Sequence, residues 1–388
     1  MRSFEDLLPN KDPAIGLYIH VPFCKIRCSY CDFATDLERL GQREQYLKSL
    51  EAEFKARVVR PGLLVDTLYL GGGTPSLLEI DELGRIVNLV RHYFDLSGLK
   101  EFTIEANPGG VNANVLNQWA QIGINRVSLG VQSFYETELK VLGRAHLVEE
   151  NYVALRALRE SGMRFNADLM IGTPGQTLLS VENNLKKLID YGAKHISVYM
   201  LSVEPDAPWF NSVQSGKIKV CDDEDVAKMY KLVIKRCATN GIEQYEISAF
   251  SELGEESLHN LKYWMNQTTL GFGPSAASYS GSFRYQNYRS LKKWQEQWDS
   301  GGLFDSFERI HSKNAILESF MLQFRLIRGI AVKELNSAHE QYPELGINDR
   351  VDRLISRGFL QMREDERRVG LSMEGRLFAN EVFLEFID

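Results

Sequence analysis

The sequence predicts an α/β fold: an open, partial (β/α)6 barrel of the TIM-like kind, followed by a smaller C-terminal winged-helix-like α+β module. Three observations predict it. Six apolar runs alternate with segments of helical spacing, which implies a parallel sheet with right-handed crossovers. Within most of these runs one parity is apolar and the other polar. From about Phe304 onward the alternation gives way to amphipathic helices around two short strands. The expected organisation is the barrel in residues 1–250, a connecting segment in 251–303 and the C-terminal module in 304–388.

The strand-like runs are Gly16–Val21, Val65–Leu70, Glu101–Ala106, Arg126–Val131, Arg164–Ile171 and His195–Leu201. Between them, helical spacing joins Leu47, Leu50 and Phe54, then Leu83, Ile86, Val87 and Val90. It recurs in Tyr152, Leu155 and Leu158, and in Leu185, Leu188 and Ile189. The first strand sets Leu17, Ile19 and Val21 against Tyr18 and His20; the third sets Phe102, Ile104 and Ala106 against Thr103 and Glu105. In the fourth, Arg126, Ser128 and Gln132 oppose Val127, Leu129 and Val131; in the fifth, Asn166 and Asp168 oppose Ala167, Leu169 and Ile171. The apolar faces meet the helices, so the polar faces converge inward. A closed eight-stranded barrel fills its interior with branched apolar side chains. Six strands with a polar interior enclose a site instead.

The bulk properties narrow the function. The chain has 388 residues and a net charge of −7, from 45 basic and 52 acidic residues, which argues against general nucleic-acid binding. No apolar run approaches the ~18 residues of a membrane span. The start, MRSFEDLLPNKDP, lacks an apolar h-region and carries acids early, so neither export nor organelle import is expected. Five cysteines, three of them clustered, suit a reducing cytosol.

Those three are Cys24, Cys28 and Cys31, spaced C-x3-C-x2-C in YIHVPFCKIRCSYCDF. Three thiolates can hold three irons of a cubane cluster and leave the fourth open to another ligand. Structural zinc competes, but it wants four closed ligands, and no second cysteine pair follows. A disulfide framework leaves one of the three over. Buried small hydrophobes are the bland alternative, set against Lys25, Arg27 and Ser29 in the same loop. Cys221 and Cys237 lack partners at ligand spacing and read as structural.

The cysteine spacing, the following aromatic and the preceding strand LYIHVPFC resemble the cluster loop of the radical S-adenosylmethionine (SAM) superfamily. Within it, Y-I-H-x-P-F-C resembles the anaerobic coproporphyrinogen oxidases and their relatives, the HemW-type haem chaperones. The resemblance implies a radical-SAM-type barrel with a 4Fe-4S cluster on Cys24, Cys28 and Cys31 and SAM chelating the open iron. It implies cofactor binding at Tyr18 and Tyr30, which flank the cysteines, and at Gly72, Gly73 and Thr74 of the run GGGTPS. Such a run lets the backbone approach a ligand, although glycines after strands are also common turn formers. Glu105, Gln132, Arg144 and Asp168 match family positions that contact SAM or a second SAM. A solvated loop acid is the alternative for Glu105, and a pairing with Arg126 or Arg144 the alternative for Asp168. Gly172–Gly175 reads as a strand-to-helix turn first.

A long amphipathic helix is expected over Asp223–Asn240. His259-Asn260-Leu261-Lys262-Tyr263-Trp264 then resembles the H-N-x-x-Y-W signature of the HemW branch, which implies haem engaged by His259. A histidine can ligate haem iron and aromatics can pack on the porphyrin; a satisfied structural histidine is the alternative. LGFGPSAASY reads as a glycine turn closing the site. In the C-terminal module, helical periodicity covers Ile316–Leu326 and Val351–Leu354, QMREDERRVGLS turns between strands, and a last helix covers Glu374–Ile387. A lid or docking role suits the acidic chain better than nucleic acid.

In the coproporphyrinogen oxidases a fourth cysteine follows two residues after the third; here that position is Phe33. Those enzymes also carry a longer extension before the cluster than the 23 residues found here. The resemblance therefore implies a cytoplasmic haem chaperone with a cluster and SAM, serving an acceptor such as a respiratory haem protein. It would draw electrons from a flavodoxin or ferredoxin and associate only transiently with membranes. The rival is oxygen-independent oxidative decarboxylation of coproporphyrinogen III.

Overall fold

The computed structural model describes residues 14–58, 61–299, 304–363 and 367–387. The start read above as free of targeting signals, and the centre of the polar turn near residue 365, lie outside them. The six expected strands form as β1 (Ile15–Val21), β2 (Leu63–Gly72), β3 (Glu101–Ala106), β4 (Arg126–Gln132), β5 (Arg164–Ile171) and β6 (His195–Met200). They lie parallel and side by side in chain order. Between and after them run α1 (Gln42–Arg57), α2 (Ile80–Tyr93), α3 (Ala113–Ile122), α4 (Val148–Ser161), α5 (Leu178–Asp190) and α6 (Asp223–Ala238). The periodicity argument does not find α3, which buries only Leu116 and Trp119. Its start is legible, however: Asn112 caps it, accepting from the Val115 amide at 3.1 Å. Thr177 caps α5 in the same way after the Gly172–Gly175 turn, so that turn is structural as read.

The sheet stays open because other strands cover both edges. On the β6 side lies antiparallel β7 (Ala249–Ser251). On the β1 side lies β8 (Thr269–Phe272), parallel, with Leu17 opposite Leu270. It leads into an antiparallel ribbon of β9 (Ala277–Tyr279), β10 (Phe283–Gln286) and β11 (Ser306–Arg309). LGFGPSAASY is therefore a seventh parallel strand plus a hairpin rather than a turn alone. Its glycines hid the strand, since glycine has low β propensity. Gly273 is needed there, with φ +92° and a position where a Cβ would sit 2.5 Å from the His20 carbonyl oxygen.

A buried polar hub fixes this edge. Glu53 of α1 pairs with Arg57 and accepts from the Gly273 amide at 2.8 Å and from Trp294 Nε1 at 3.0 Å. Arg57 in turn donates to the Gly271 carbonyl and to the Tyr285 hydroxyl. Breaking one partner of such a buried pair costs about 3–5 kcal/mol. The main core lies between sheet and helices, with Leu17, Ile19, Val21, Leu68, Val127 and Leu129 fully buried.

The C-terminal module has α9 (Ser312–Gln323), α10 (Val332–Gln341) and α11 (Ile347–Ser356) beside a small sheet of β12 (Ile330–Ala331), β13 (Leu360–Arg363) and β14 (Arg368–Leu371). Helices α7 (Leu258–Trp264) and α8 (Leu291–Asp299) precede it in the chain. The single last helix expected over Glu374–Ile387 is two short ones, Met373–Leu377 and Ala379–Leu384, which part at Phe378. Gly375 brings the first against the Phe359 carbonyl, where no Cβ would fit. Ile247, from the barrel side, belongs to this module's core with Leu317, Phe320 and Val351.

Candidate cofactor site

Inward parity holds as read. Tyr18, Tyr69, Glu105, Ser128, Asn166 and Asp168 face the lumen and interact there with one another. Tyr69 donates to Glu105 Oε1 at 2.9 Å and the Gly72 amide to Oε2 at 2.9 Å. Burial nevertheless pushes Glu105 up to about 7, with the Asp168 charge adding to it. Asp168 accepts from Asn166 at 2.9 Å and Ser128 at 3.4 Å, and burial pushes it up to about 6. Among the described residues neither carboxylate forms an ion pair. The alternative pairing of Asp168 does not form: Arg126 turns to His195 and lies 4.0 Å from Glu101.

The cysteines stand at the end of β1, each partly exposed and none in a disulfide. Cys24 Sγ is 3.6 Å from Thr74 Oγ1, and Arg144 Nη1 donates to Cys28 Sγ at 3.6 Å. Asn107 closes the circuit, donating to Thr74 at 3.2 Å and accepting from Arg144. Burial pushes Cys24 up to about 11 and Tyr30, beside Arg144, up to about 12. Among the described residues no three His, Cys, Asp or Glu side chains converge as tightly as a single metal ion needs. Three thiols are one fewer than structural zinc wants and as many as a cubane with one open iron takes. Cys221 instead donates to the Thr173 carbonyl, and Cys237 is buried in α6.

The glycine run has two jobs. A Cβ on Gly71 would fall 2.8 Å from the Tyr69 ring and 3.0 Å from Glu105 Oε1, and one on Gly73 would fall 2.7 Å from the Phe23 carbonyl. Gly72 adopts φ +115° against the His20 ring. Protein packing alone thus demands these glycines, while the Gly72 amide meets Glu105 and the Gly73 amide meets the Val21 carbonyl at 2.8 Å, at the end of β1. Gln132 carries a clearer mark of a ligand. It is a non-glycine residue at φ +63°, it is buried, and its Oε1 has no hydrogen-bond partner. Strain and an orphaned acceptor together cost a few kcal/mol, which a bound donor would offset.

His259 sits differently from the expectation. Glu101 caps α7, accepting from the Leu258 and His259 amides at 2.9 and 3.0 Å, and so turns the histidine into the barrel. Its Nδ1 meets Thr67 Oγ1 at 2.9 Å and its Nε2 the Tyr263 hydroxyl at 3.0 Å. The ring stacks on Tyr69 and is fully buried, and burial lowers its pKa to about 3. With both nitrogens bonded, axial ligation of iron is not open to His259 in this conformation. Lys262 pairs with Asp66 at 2.8 Å, and Trp264 lies under Arg325 of the C-terminal module. Sequence reasoning did not single out Tyr69, Asn107, Ser128 or Asn166 for the site, although inward parity pointed to Ser128 and Asn166.

Residues 18–188 match the family model described as Radical SAM superfamily. The Heme chaperone HemW of Bacillus subtilis (strain 168) is 33% identical over 374 residues, 95% of this chain and 98% of that one. The Heme chaperone HemW of Escherichia coli (strain K12) is 31% identical over 385 residues, 97% of this chain and 99% of that one. The solved coproporphyrinogen III oxidase (HemN) from Escherichia coli aligns at TM-score 0.84, over 99% of this chain and 92% of that one, with 23% identity. At that identity the likeness is one of fold.

Proposed function

This chain belongs to the radical SAM superfamily and, within it, to the HemW family of haem chaperones, and on that premise we propose that it binds haem and transfers it to an acceptor protein. The observation that carries the proposal is the match to proteins of that name along 95–97% of the chain. Membership of the superfamily implies a 4Fe-4S cluster and SAM. When bound, they supply an electron and a breakable carbon–sulfur bond.

The chain's own residues suit that pair. Cys24, Cys28 and Cys31 would hold the cluster, with Thr74 and Arg144 placed to hydrogen-bond its sulfurs. Glu105 and Asp168, unpaired carboxylates in a buried lumen, favour a cationic ligand such as a sulfonium. Gln132 offers its free oxygen to a donor, and the Gly72–Gly73 backbone, Tyr18 and Tyr30 line the approach. The acceptor we have in view is a respiratory haem protein, and the electron donor a flavodoxin or ferredoxin. Among the described residues no helix is long and apolar enough to cross a membrane.

The test is anaerobic reconstitution followed by haem titration, watched in the visible spectrum with and without SAM. A cluster band plus a saturable Soret band supports a haem carrier. Replacing any of Cys24, Cys28 or Cys31 by Ala should abolish the cluster band, while Cys221→Ala keeps it. Anaerobic turnover of coproporphyrinogen III to protoporphyrinogen at a useful rate would overturn the chaperone reading.

A further inference from the structure

We propose that haem binds in the cleft between the cluster loop and the start of α8, recognised as a flat aromatic dicarboxylate. This rests on the haem-carrier reading above and adds the place and the recognition chemistry. The cleft measures about 540 Å³ and has walls from three distant segments: the loop bearing Arg27 and Phe33, the loop at Asp206, and Tyr288 to Lys293. A volume of that size suits an organic cofactor.

Three features point to this ligand class. Phe33 stands at the lip with 62% of its surface exposed. A large aromatic left in water beside a concave site is an unused stacking plate. Next come the cations. Arg289 is held by Asp206 at 3.5 Å and by the Asp32 carbonyl. Arg27 donates only to the Asp206 carbonyl, at 2.8 Å, and Lys293 enters no ion pair among the described residues. Among the described residues Arg27 and Lys293 therefore enter no ion pair and are the two groups the propionates would reach. Asp36 and Asp305 also line the cleft and restrict where those propionates can lie. Lastly, Tyr288 lines the cleft with a phenol that makes no hydrogen bond among the described residues, and tyrosinate is a known haem ligand.

The lumen argues the same point from the other side. Among the described residues Glu105 and Asp168 form no ion pair there, although Arg144 acts on Asp168 from a distance, and two such carboxylates favour a cation over a dianion. Its histidine, His259, is buried with both nitrogens bonded. The chain thus separates two ligands by the charges each site offers: carboxylates alone in the lumen for SAM, and in the cleft three cations, Arg27, Arg289 and Lys293, interspersed with three carboxylates, for haem. The two sites share a wall, since Phe33 follows Cys31 by two residues and the Ala34 carbonyl meets His20 Nε2 at 2.8 Å.

The experiment titrates the reconstituted full chain with hemin and with hemin dimethyl ester, which lacks the two carboxylates. Arg27→Glu/Lys293→Glu should weaken hemin binding about tenfold while leaving ester affinity at the wild-type level. Phe33→Ala should weaken both. Both residues of the charge-reversal pair and Phe33 are exposed, and iron and sulfide content confirms an intact cluster loop. Hemin affinity unchanged in both variants, or lost only in His259→Gln, overturns the cleft while sparing the haem-carrier reading. A wild-type chain that takes up no hemin overturns both.

Discussion

The Tyr69 hydroxyl donates to Glu105 at 2.9 Å in the middle of the lumen, and it is one of only two hydrogen bonds found for that carboxylate among the described residues. Burial raises Glu105 to about 7, and these bonds work against the rise. A cationic ligand should bind the ionised form, so SAM affinity should climb as pH rises through about 7. Tyr69→Phe removes a bond to the charged form and should move that midpoint upward by about half to one unit. Calorimetric SAM titration at several pH values reads it. An unmoved midpoint would mean that Glu105 does not set the pH dependence.

Glu246 gives a stability prediction away from the site. It is buried near Arg325, its Oε2 has no partner, and burial raises it to about 7. The unfolded carboxyl titrates near 4.3. Between those values the folded chain holds the extra proton, so this group's contribution is full below about 4 and is lost as pH rises through about 7. Glu246→Gln should therefore stabilise the chain by about 1–3 kcal/mol at pH 8 and change little at pH 4. Denaturant unfolding at both pH values checks this; equal effects at both would contradict the linkage.

Thr74 reaches toward Cys24 Sγ at 3.6 Å and also receives Asn107. Hydrogen bonds to cluster sulfurs raise the reduction potential. Thr74→Val should leave iron and sulfide content unchanged and shift the cluster to a more negative potential in a redox titration. A normal potential with normal iron would remove Thr74 from the cluster's surroundings.

The barrel was legible because its information is local and periodic. Leu17, Ile19 and Val21 against Tyr18 and His20 state which face meets the helices, and one parity error would have inverted the lumen. The clustering of the cysteines and the inward face of Glu105 followed from spacing and parity, and their ligand roles from the family resemblance. What escaped is non-local. β8 carries too few apolar residues to announce itself, and its place beside β1 depends on the hub of Glu53 and Arg57. The direction of His259 depends on Glu101, more than 150 residues earlier, capping α7. The cleft draws on residues 27, 206 and 293, which no window along the chain brings together.

Ile247 in the core of the C-terminal module has a consequence for dissecting the protein. The Ile327 amide also donates to the Tyr245 carbonyl at 3.0 Å, and Arg325 lies 4.3 Å above the Trp264 ring. The module is a plug seated on the barrel rather than a bead on a string. A chain cut near residue 304 would leave an apolar socket at Ile247 and Trp264 on one piece and an unroofed core on the other. Limited proteolysis should accordingly release no stable barrel fragment, and the two halves made separately should be recovered only when they are expressed together.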